Sequence, residues 1–387
     1  MKTVAHYKRT AYLAKTETWI YSQIINVRLF KPVFYSPGLV NARSFPLDRV
    51  RNVNLTVNPA PGNLIKAVND YYRPVALRMA ILWDRPAVVH AHYGPSGYEF
   101  LPFKQLFRIP MVTTFYGFDV NMLPTSEPVW KERYQSLFKE GNMFLTEGSF
   151  MKQCLVRLGC DEKKVVVQHL GVDLGNIKFI PRRLGRGEVL KILISGSFRE
   201  KKGIPYAIEA IGLYIKKNPL NKVLITVIGD AKNHGREISE KNAILETVER
   251  FKLQTIVKFL GYQSHQVFID ELYRNHIFLS PSVVAVDGDT EGGAPVSIIE
   301  ASASGMPILS TTHCDIPEVV IDGVSGCLVP ERNSTALAEK LDFLVQNSEK
   351  WEEMGACGRK HIEKNYDVRH QGVLLEEIYQ HLIAGQC

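Results

Sequence analysis

The sequence has few of the features that mark secreted or membrane-spanning proteins. None of its 387 residues lies in a run near the roughly 20 apolar residues that a transmembrane helix needs. The longest candidate, Ile277–Val286, is interrupted by a Ser-Pro-Ser triplet. The basic N-terminus is not followed by a long apolar core, so we expect no signal peptide. These absences predict a cytoplasmic protein.

Cysteine patterns and common cofactor fingerprints are also scarce. The six cysteines include no C-x-x-C pair and are scattered, at Cys154, Cys160, Cys314, Cys327, Cys357 and Cys387. Secreted chains more often show a disulfide framework, and Cys154 and Cys160 lack partners at zinc-ligand spacing. The Walker spacing G-x-x-x-x-G-K-[ST] and a G-x-G-x-x-G after a first strand are both missing. We expect reduced structural thiols, no metal and no nicotinamide cofactor.

Charge is distributed unevenly along the chain. The net charge is +7, but residues 1–180 hold 23 Lys/Arg against 13 Asp/Glu, whereas the remainder holds 24 against 27. A basic first half suggests an anionic partner such as phospholipid headgroups, a lipid-linked phosphate or nucleic acid. A basic surface that serves only solubility is the alternative.

Short apolar runs alternate with helical patterns and predict wound α/β layers. Ile204, Ile208, Ile211 and Ile215 fall on one helix face, and Ile20, Ile24 and Val27 repeat the spacing. The predicted strands are Ala87–Tyr93, Met111–Phe115, Lys164–His169, Val189–Ser195, Val223–Ile228, Val257–Leu260, Ile277–Ser280 and Cys327–Val329. Val- and Ile-rich runs of this kind are typical of buried parallel strands.

A Gly- and Arg-rich stretch, Gly171–Gly187, separates two such halves. We predict two wound domains, over residues 1–175 and 188–365. Apolar residues repeat at helical spacing over Val373–Leu382 and predict a helix there. Ligands of such sheets bind beyond the carboxyl ends of the strands.

The most informative segment runs from Asp287 to Pro307. Gly292 and Gly293 leave the backbone open, Pro295 suits a first helical turn, and Gly305 with a following proline marks a helix end. A short helix is therefore predicted from about Pro295 to Ser304, with an anion site at its start. Glu300, about 8 Å along it, could accept hydrogen bonds from a ribose diol. An acidic loop with a helix cap is the alternative.

A second loop, Ser195–Gly203, also joins a strand to a helix. It contains Arg199, Lys201 and Lys202, and Arg and Lys are the usual phosphate-binding side chains. Many surface turns share this composition, so the loop alone does not settle its role.

Together these motifs resemble the donor site of family-4 retaining glycosyltransferases. The resemblance rests on Glu291–Pro307, Thr311–Glu318, Gly323–Pro330 and the Lys202-Gly203 pair. In the first half it rests on Val88–His92, Val112–Asp119, Leu158–Asp161 and Leu170–Leu174. The Thr16–Ile20 segment is most like bacterial exopolysaccharide and colanic-acid transferases. The family has the GT-B fold, two Rossmann-like wound parallel-sheet domains that face each other across a cleft.

The resemblance implies roles for individual residues. Glu300 would bind the ribose, Glu291 the hexose and pyrophosphate, and Lys202 with Arg199 the leaving diphosphate. The resemblance implies that residues 1–175 bind the acceptor, that residues 188–365 bind the nucleotide sugar, and that residues 366–387 form the family's C-terminal helix, which crosses back to the first domain. His92, Tyr116 and Asp119 would lie on the acceptor side. The implied catalytic residues are Arg199, Lys202, Glu291, His92 and Tyr116. The implied donor-binding set is Gly196, Ser197, Arg199, Lys202, Glu291, Gly292, Gly293, Ala294, Pro295, Val296 and Glu300.

Three positions depart from the family pattern. Eight residues separate Glu291 from Glu300 instead of seven, which leaves Glu291 the less secure of the two. The family's loop arginine falls at Ser197, for which Arg199 is a candidate substitute. The family's histidine is Tyr116, which cannot carry a proton near neutral pH as imidazole does.

Two features of the first half also have a purely structural explanation, as an alternative to a functional one. His90 and His92 lie on an apolar strand where a satisfied core histidine is the commoner case, and Asp119 is as suited to capping a helix as to orienting an acceptor. The basic-aromatic run Phe100–Arg108 fits either a half-buried helix or a membrane-surface stripe.

The sequence therefore predicts a retaining, metal-independent hexosyltransferase of cell-surface polysaccharide biosynthesis. It would use a UDP- or GDP-hexose and a glycan or lipid-linked acceptor, as a peripheral protein on the cytoplasmic face of the membrane. Another GT-B enzyme, such as a nucleotide-sugar epimerase, is the first alternative. A nucleic-acid binder using the basic half is the second, but no RNP-like or zinc-finger pattern supports nucleic acid as a partner.

Overall fold

The computed structural model describes residues 1–14, 17–56, 63–232 and 235–385. The chain divides into two compact units, one made of Met1–Val172 with Asp367–Cys387 and the other of Asp173–Tyr366. Each unit is built on one parallel β-sheet. Thr16 and Cys387, which the sequence analysis used, lie outside the described residues.

The first unit contains a seven-stranded sheet in the order β3-β2-β1-β4-β5-β6-β7. Its strands are β1 Lys2–Tyr7, β2 Phe30–Ser36, β3 Arg51–Asn54, β4 Val88–His92, β5 Met111–Thr114, β6 Met143–Thr146 and β7 Val165–Val167. Its first helices are α1 Thr18–Asn26, α2 Asn63–Asp84, α3 Gly94–Phe107, α4 Met122–Ser126, α5 Val129–Glu140 and α6 Ser149–Arg157. Alternation of strand and helix over short loops produces this wound arrangement.

The second unit contains a six-stranded sheet in the order β10-β9-β8-β11-β12-β13. Its strands are β8 Leu190–Ser195, β9 Val223–Ile228, β10 Val257–Phe259, β11 Ile277–Ser280, β12 Ile308–Thr311 and β13 Gly326–Val329. Its helices are α7 Ile204–Lys217, α8 Gly235–Arg250, α9 His265–Arg274, α10 Val296–Ala303, α11 Ile316–Val319, α12 Ser334–Gln346 and α13 Trp351–Asn365. The isoleucines of α7 pack into the core of this unit, as their spacing predicts.

The last helix, α14 (Val368–Ala384), packs on the first unit. Leu375, Tyr379 and Leu382 join Val4 of β1 and Val88 of β4 in one buried cluster. The buried Glu376 carboxylate accepts hydrogen bonds from the backbone N–H groups of residues 28 and 29, the second at 2.7 Å. The C-terminal segment is thus an integral part of the core of the first unit.

The structure corrects two local expectations. Helix α10 begins at Val296, because Pro295 has an extended ψ of 130° and forms the N-cap. Val27 lies just beyond α1 in an extended conformation, although it is buried as the pattern implied. The predicted strands are all present, β9 and β11 with the predicted ends and the others with slightly different ends, but β1, β2, β3, β6 and β12 were not predicted.

Two observations concern membrane contact. None of the helices in the described part of the chain combines the length and the apolar character that crossing a bilayer demands. The run Phe100–Arg108 lies in α3 and just beyond it, with Phe100 and Leu101 buried and Leu106 exposed. The run therefore forms the half-buried helix that is one of the two interpretations of its sequence.

Candidate active site

The predicted donor residues lie where the strand order of the second unit reverses. Strands β8 and β11 are neighbours there, although they are far apart in sequence. The loop after Ser195 carries Arg199 and Lys202, and the loop after Ser280 carries Glu291. Wound α/β sheets bind ligands at the carboxyl ends of the strands at such a reversal.

The two loops touch through their backbones. The N–H of Val283 donates to the carbonyl of Lys201 at 2.9 Å. Gly203, with φ of +60°, lies so close that an added Cβ would be 1.9 Å from the carbonyl oxygen of Pro281. Glycine is therefore required here both for its backbone conformation and for the space. The contact fixes Lys202 over the β11 loop.

Lys202 and Glu291 form an ion pair between the two loops. The Lys202 Nζ lies 2.8 Å from Glu291 Oε2, and Ser282 Oγ donates to Glu291 Oε1 at 2.8 Å. Burial by itself would raise the pKa of the Glu291 carboxyl, but Lys202 and Lys201 outweigh it and hold the pKa at about 2. Glu291 is therefore a buried carboxylate anion at neutral pH.

A second carboxylate, Asp289, binds the other cations of the loop. Arg199 Nη2 lies 2.5 Å from Asp289 Oδ2, and Lys201 Nζ lies 3.2 Å from Asp289 Oδ1. Lys201 also donates to the carbonyl of Thr290 at 2.8 Å. Asp289 is buried while Arg199 is 40% exposed, so the arginine can exchange this carboxylate for another anion.

The predicted glycine-rich positions lie beside these ion pairs. Gly196 leaves room for the Lys202 side chain, because an added Cβ would approach its methylene groups to 3.1 Å. Gly292 has φ of +79° and donates its N–H to Thr290 Oγ1 at 3.1 Å. No side chain caps the start of α10. The remaining members of the predicted set are Ser197, whose carbonyl accepts from the N–H of Arg199, and Gly293, Ala294, Pro295 and Val296, which lead into α10.

Glu300 lies on α10 and pairs with a histidine that the sequence analysis did not identify. His265 Nε2 and Glu300 Oε1 are 2.7 Å apart. The Glu300 side chain is only 12% exposed, whereas that of His265 is 60% exposed at the start of α9. A mostly buried carboxylate with an exposed cationic partner can accept hydrogen bonds from a ligand diol.

The His265 ring is expected to titrate above the usual histidine pKa, because its hydrogen bond to Glu300 favours the imidazolium form. A folded-state pKa above the unfolded value of 6.5 stabilises the fold below that value, and this contribution disappears as the pH rises through the folded pKa. Solvent screening limits it to a few tenths of a kcal/mol, roughly. An NMR titration of the ring checks the shift, and Glu300→Gln should return the pKa towards 6.5. An unchanged titration in that variant would contradict the pairing.

In the first unit, His92 and Tyr116 are hydrogen-bonded to each other. Their Nδ1 and Oη atoms are 2.7 Å apart, and both residues are buried. Burial lowers the pKa of His92 and raises that of Tyr116, so both are neutral near pH 7.

Asp119 accepts hydrogen bonds from the backbone N–H groups of Gly94 at 2.7 Å and Tyr116 at 2.9 Å. The Asp119 side chain thereby caps the start of α3, although it lies in a different part of the chain. Burial raises the pKa of the Asp119 carboxyl to about 6, and the hydrogen bonds from the backbone partly offset this rise.

His6, His90 and His92 form a buried cluster, the one group of three potential metal ligands among the residues that the structure describes. The rings of His90 and His92 stack with centroids 4.4 Å apart, and His6 Nδ1 lies 3.1 Å from His92 Nε2. His90 is bonded to the hydroxyls of Tyr379 and Thr114 at 2.7 and 2.6 Å. Imidazoles coordinate ions in the ring plane, so stacked rings already bonded to hydroxyls converge poorly on one ion. We interpret the cluster as a polar network of the core.

Glu17, in the predicted Thr16–Ile20 segment, anchors the loop after β1. Its buried carboxylate accepts from Lys8, from the N–H of Ala14 at 2.6 Å and from Tyr93 Oη at 2.8 Å. Tyr93 follows β4, so this network links the ends of two neighbouring strands of the first sheet. It lies at the strand-order reversal of that sheet, between β1 and β4.

Comparison with known folds defines the class of protein. HepE from Anabaena, solved in complex with UDP and glucose, superposes with a TM-score of 0.78 at 15% identity, over 98% of this chain and 100% of that one. Sucrose-phosphate synthase from Thermosynechococcus elongatus superposes with a TM-score of 0.78 at 14% identity, over the whole of both chains. Two Rossmann-like parallel-sheet units with these neighbours define the GT-B fold.

Residues 28–176 match the model of Glycosyltransferase Family 4, and residues 176–361 match that of Glycosyl transferases group 1. Together the two models cover most of the chain, which therefore belongs to the family-4 glycosyltransferases. WcaL of Escherichia coli K12, a putative colanic acid biosynthesis glycosyltransferase, is 33% identical over 68% of this chain. AmsK of Erwinia amylovora, an amylovoran biosynthesis glycosyltransferase, is 29% identical over 75% of this chain and 69% of its own length. The matched part of this chain spans 62% of the length of WcaL.

Proposed function

We propose that this protein transfers a hexose from a UDP- or GDP-sugar to a glycan or lipid-linked glycan during cell-surface polysaccharide synthesis. The observation that carries the proposal is the Lys202–Glu291 pair at the meeting of the β8 and β11 loops, with Arg199 beside it and Glu300 further along α10. Cations, a glycine-rich helix start and a buried carboxylate on that helix suit a diphosphate linked to a ribose. The relationship to WcaL and AmsK supports polysaccharide synthesis as the setting.

In this mechanism the diphosphate binds the cationic side chains that are paired with carboxylates in the ligand-free protein. The bound diphosphate replaces Asp289 as the partner of the exposed Arg199 and recruits Lys202, while Glu300 binds the ribose hydroxyls. As the bond from the anomeric carbon to the diphosphate breaks, these cations and the start of α10 stabilise the negative charge on the leaving oxygen. Glu291, held next to Lys202, positions the hexose.

Further parts of the proposal concern the acceptor and the stereochemistry. The acceptor hydroxyl attacks from the face that the diphosphate leaves and gives its proton to the departing diphosphate oxygen, so the anomeric configuration is retained. Side-chain cations replace a metal ion. His92, Tyr116 and Asp119 support the acceptor side from within the first unit and exchange no protons with the acceptor. All three are buried, His92 and Tyr116 are neutral and bonded to each other, and the Asp119 carboxylate is occupied by backbone N–H groups. The protein acts as a peripheral protein on the cytoplasmic face of the membrane.

A thermal-shift panel of UDP-, GDP- and ADP-sugars tests the donor site. A ligand at 100 times its dissociation constant should add about 2.7 kcal/mol of stability. We expect a clear rise in Tm with a UDP- or GDP-hexose, because those donors supply both the diphosphate and the ribose diol. The shift should be larger with UDP or GDP than with the matching 2′,3′-dideoxy nucleotide, and Glu300→Gln should remove that difference.

The panel has a decisive negative outcome. If no nucleotide sugar raises the Tm of the folded protein, the proposed donor site is wrong.

Product analysis with a donor that binds separates the possible reactions. A changed sugar released without an acceptor indicates an epimerase, whereas transfer to a glycan with an unchanged anomer indicates the retaining transferase. Turnover that persists in EDTA supports the metal-independent mechanism.

A further inference from the structure

Helix α2 has two apolar faces, of which only one is buried. Leu77, Ala80 and Ile81 pack into the core of the first unit. The outward face of a surface helix is usually polar, since it contacts water. On α2 that face is apolar as well.

The exposed face carries seven large apolar side chains at helical spacing. They are Val68, Tyr71, Tyr72, Val75, Met79, Leu82 and Trp83, which we call the α2 stripe. Successive members are separated by three, one, three, four, three and one residues, so at 100° per residue all lie within about 60° of one line along the helix. Trp83 and Tyr71 are 83% and 81% exposed. The stripe is about 22 Å long at a rise of 1.5 Å per residue.

The charges around the stripe are positive. Arg78 is exposed on one flank of it, and Arg85, also exposed, follows the last residue of the helix. Asp84 at the end of the helix is neutralised by Arg51 and also accepts from Tyr35 Oη at 2.9 Å. Residues 1–180 as a whole carry an excess of ten positive charges, 23 Lys/Arg against 13 Asp/Glu. An anionic surface therefore complements this side of the first unit.

We propose that the α2 stripe docks on an anionic phospholipid surface. Trp and Tyr favour the headgroup boundary because their rings combine an apolar body with a polar tip. Flanking arginines add attraction to anionic headgroups. A stripe about 22 Å long, by the same estimate of roughly 1.5 Å per residue, is long enough to lie along a layer of lipid. The inference rests on the proposed function for its purpose, which is to hold the enzyme beside a lipid-linked acceptor.

Sedimentation of the full-length protein with vesicles tests this docking. We expect it to bind vesicles of mixed phosphatidylglycerol and phosphatidylcholine and to bind pure phosphatidylcholine much more weakly. The triple variant Tyr71→Ser, Met79→Ser and Trp83→Ser should bind the anionic vesicles at least about tenfold more weakly, because it removes the apolar contact. Leu220→Ser is the matched control, since Leu220 is 93% exposed in the second unit.

The charge contribution has its own variant. Arg78→Glu with Arg85→Glu should remove most of the preference for anionic over zwitterionic vesicles, because one arginine is exposed beside the stripe and the other just beyond the end of the helix. The Tm shift with a nucleotide sugar should be the same in all variants, which shows that they fold and keeps the donor site as a separate measurement. If the wild type shows no Tm shift with a nucleotide sugar but still binds anionic vesicles, the proposed function is refuted and the docking proposal stands.

Three results would overturn the docking proposal. The wild type could fail to bind anionic vesicles, or the triple variant could bind them as tightly as the wild type. Alternatively, the wild type could be a dimer in solution that the triple variant converts to a monomer, in which case a second copy of the chain covers the stripe.

Discussion

Replacing Lys202 with methionine is expected to lower kcat by about two to three orders of magnitude. Lys202 is the cation paired with the buried Glu291 carboxylate of the β11 loop, and the proposed reaction needs it to stabilise the departing diphosphate. The same change leaves the Glu291 carboxylate buried without its hydrogen-bonded cation, so we also expect a loss of about 2–4 kcal/mol of stability. Steady-state turnover and urea unfolding measure the two effects.

A double variant separates catalysis from folding. Lys202→Met with Glu291→Gln removes the uncompensated buried charge and should recover most of the lost stability, but it should not recover turnover. In the wild type the depressed pKa of Glu291 contributes stability that is present above its ordinary pKa of 4.5 and is lost as the pH falls through about 2. Near-wild-type turnover of a folded Lys202→Met protein would remove this lysine from the mechanism.

The second large effect is expected from Gly203→Ala, which should destabilise the protein by about 3–5 kcal/mol. A Cβ at this position would lie 1.9 Å from the Pro281 carbonyl oxygen, and the residue has a left-handed φ of +60°. The β8 and β11 loops would have to separate, which would also displace Lys202. Chemical denaturation measures the loss, and the donor-induced Tm shift reports the displaced cation.

Gly288→Ala is the matched control for Gly203→Ala. Gly288 also has a left-handed φ, of +80°, but nothing lies within 4 Å of its added Cβ. Its substitution should therefore cost only the backbone strain, about 1–2 kcal/mol. Equal losses at the two positions would show that strain, and not the approach to Pro281, dominates at Gly203.

Local sequence chemistry predicted the parts of the donor site that depend on neighbouring residues. Gly305 has the left-handed φ of +88° that a helix end requires, and α10 ends two residues before it. Helix signals predict Glu300, and loop composition marks Lys202 as a candidate, whereas Glu291 is predicted only by the family resemblance. Lys201 and Asp289 lie in the same two loops, but their pairing needs the contact between β8 and β11, which no local pattern records.

Long-range pairing also explains what was missed in the first unit. His6 meets the histidines of β4 because β1 and β4 pair in a register that aligns His6 with His90. Strand β2 contains Lys31 and Pro32, and β6 (MFLT) and β12 (ILST) hold one isoleucine and no valine between them, so none of the three is the Val- and Ile-rich run that predicts a buried strand. His265 was missed because its role depends on α9 lying beside α10.

The position of α14 has a consequence for the order in which the chain matures on the ribosome. The first unit draws its core from both ends of the sequence, so the cluster around Val88 stays open until Leu382 has been synthesised. The second unit is continuous from Asp173 to Tyr366 and has all its strands available earlier. Domains generally fold as their chains emerge, so the unit that is translated second is the first able to complete itself.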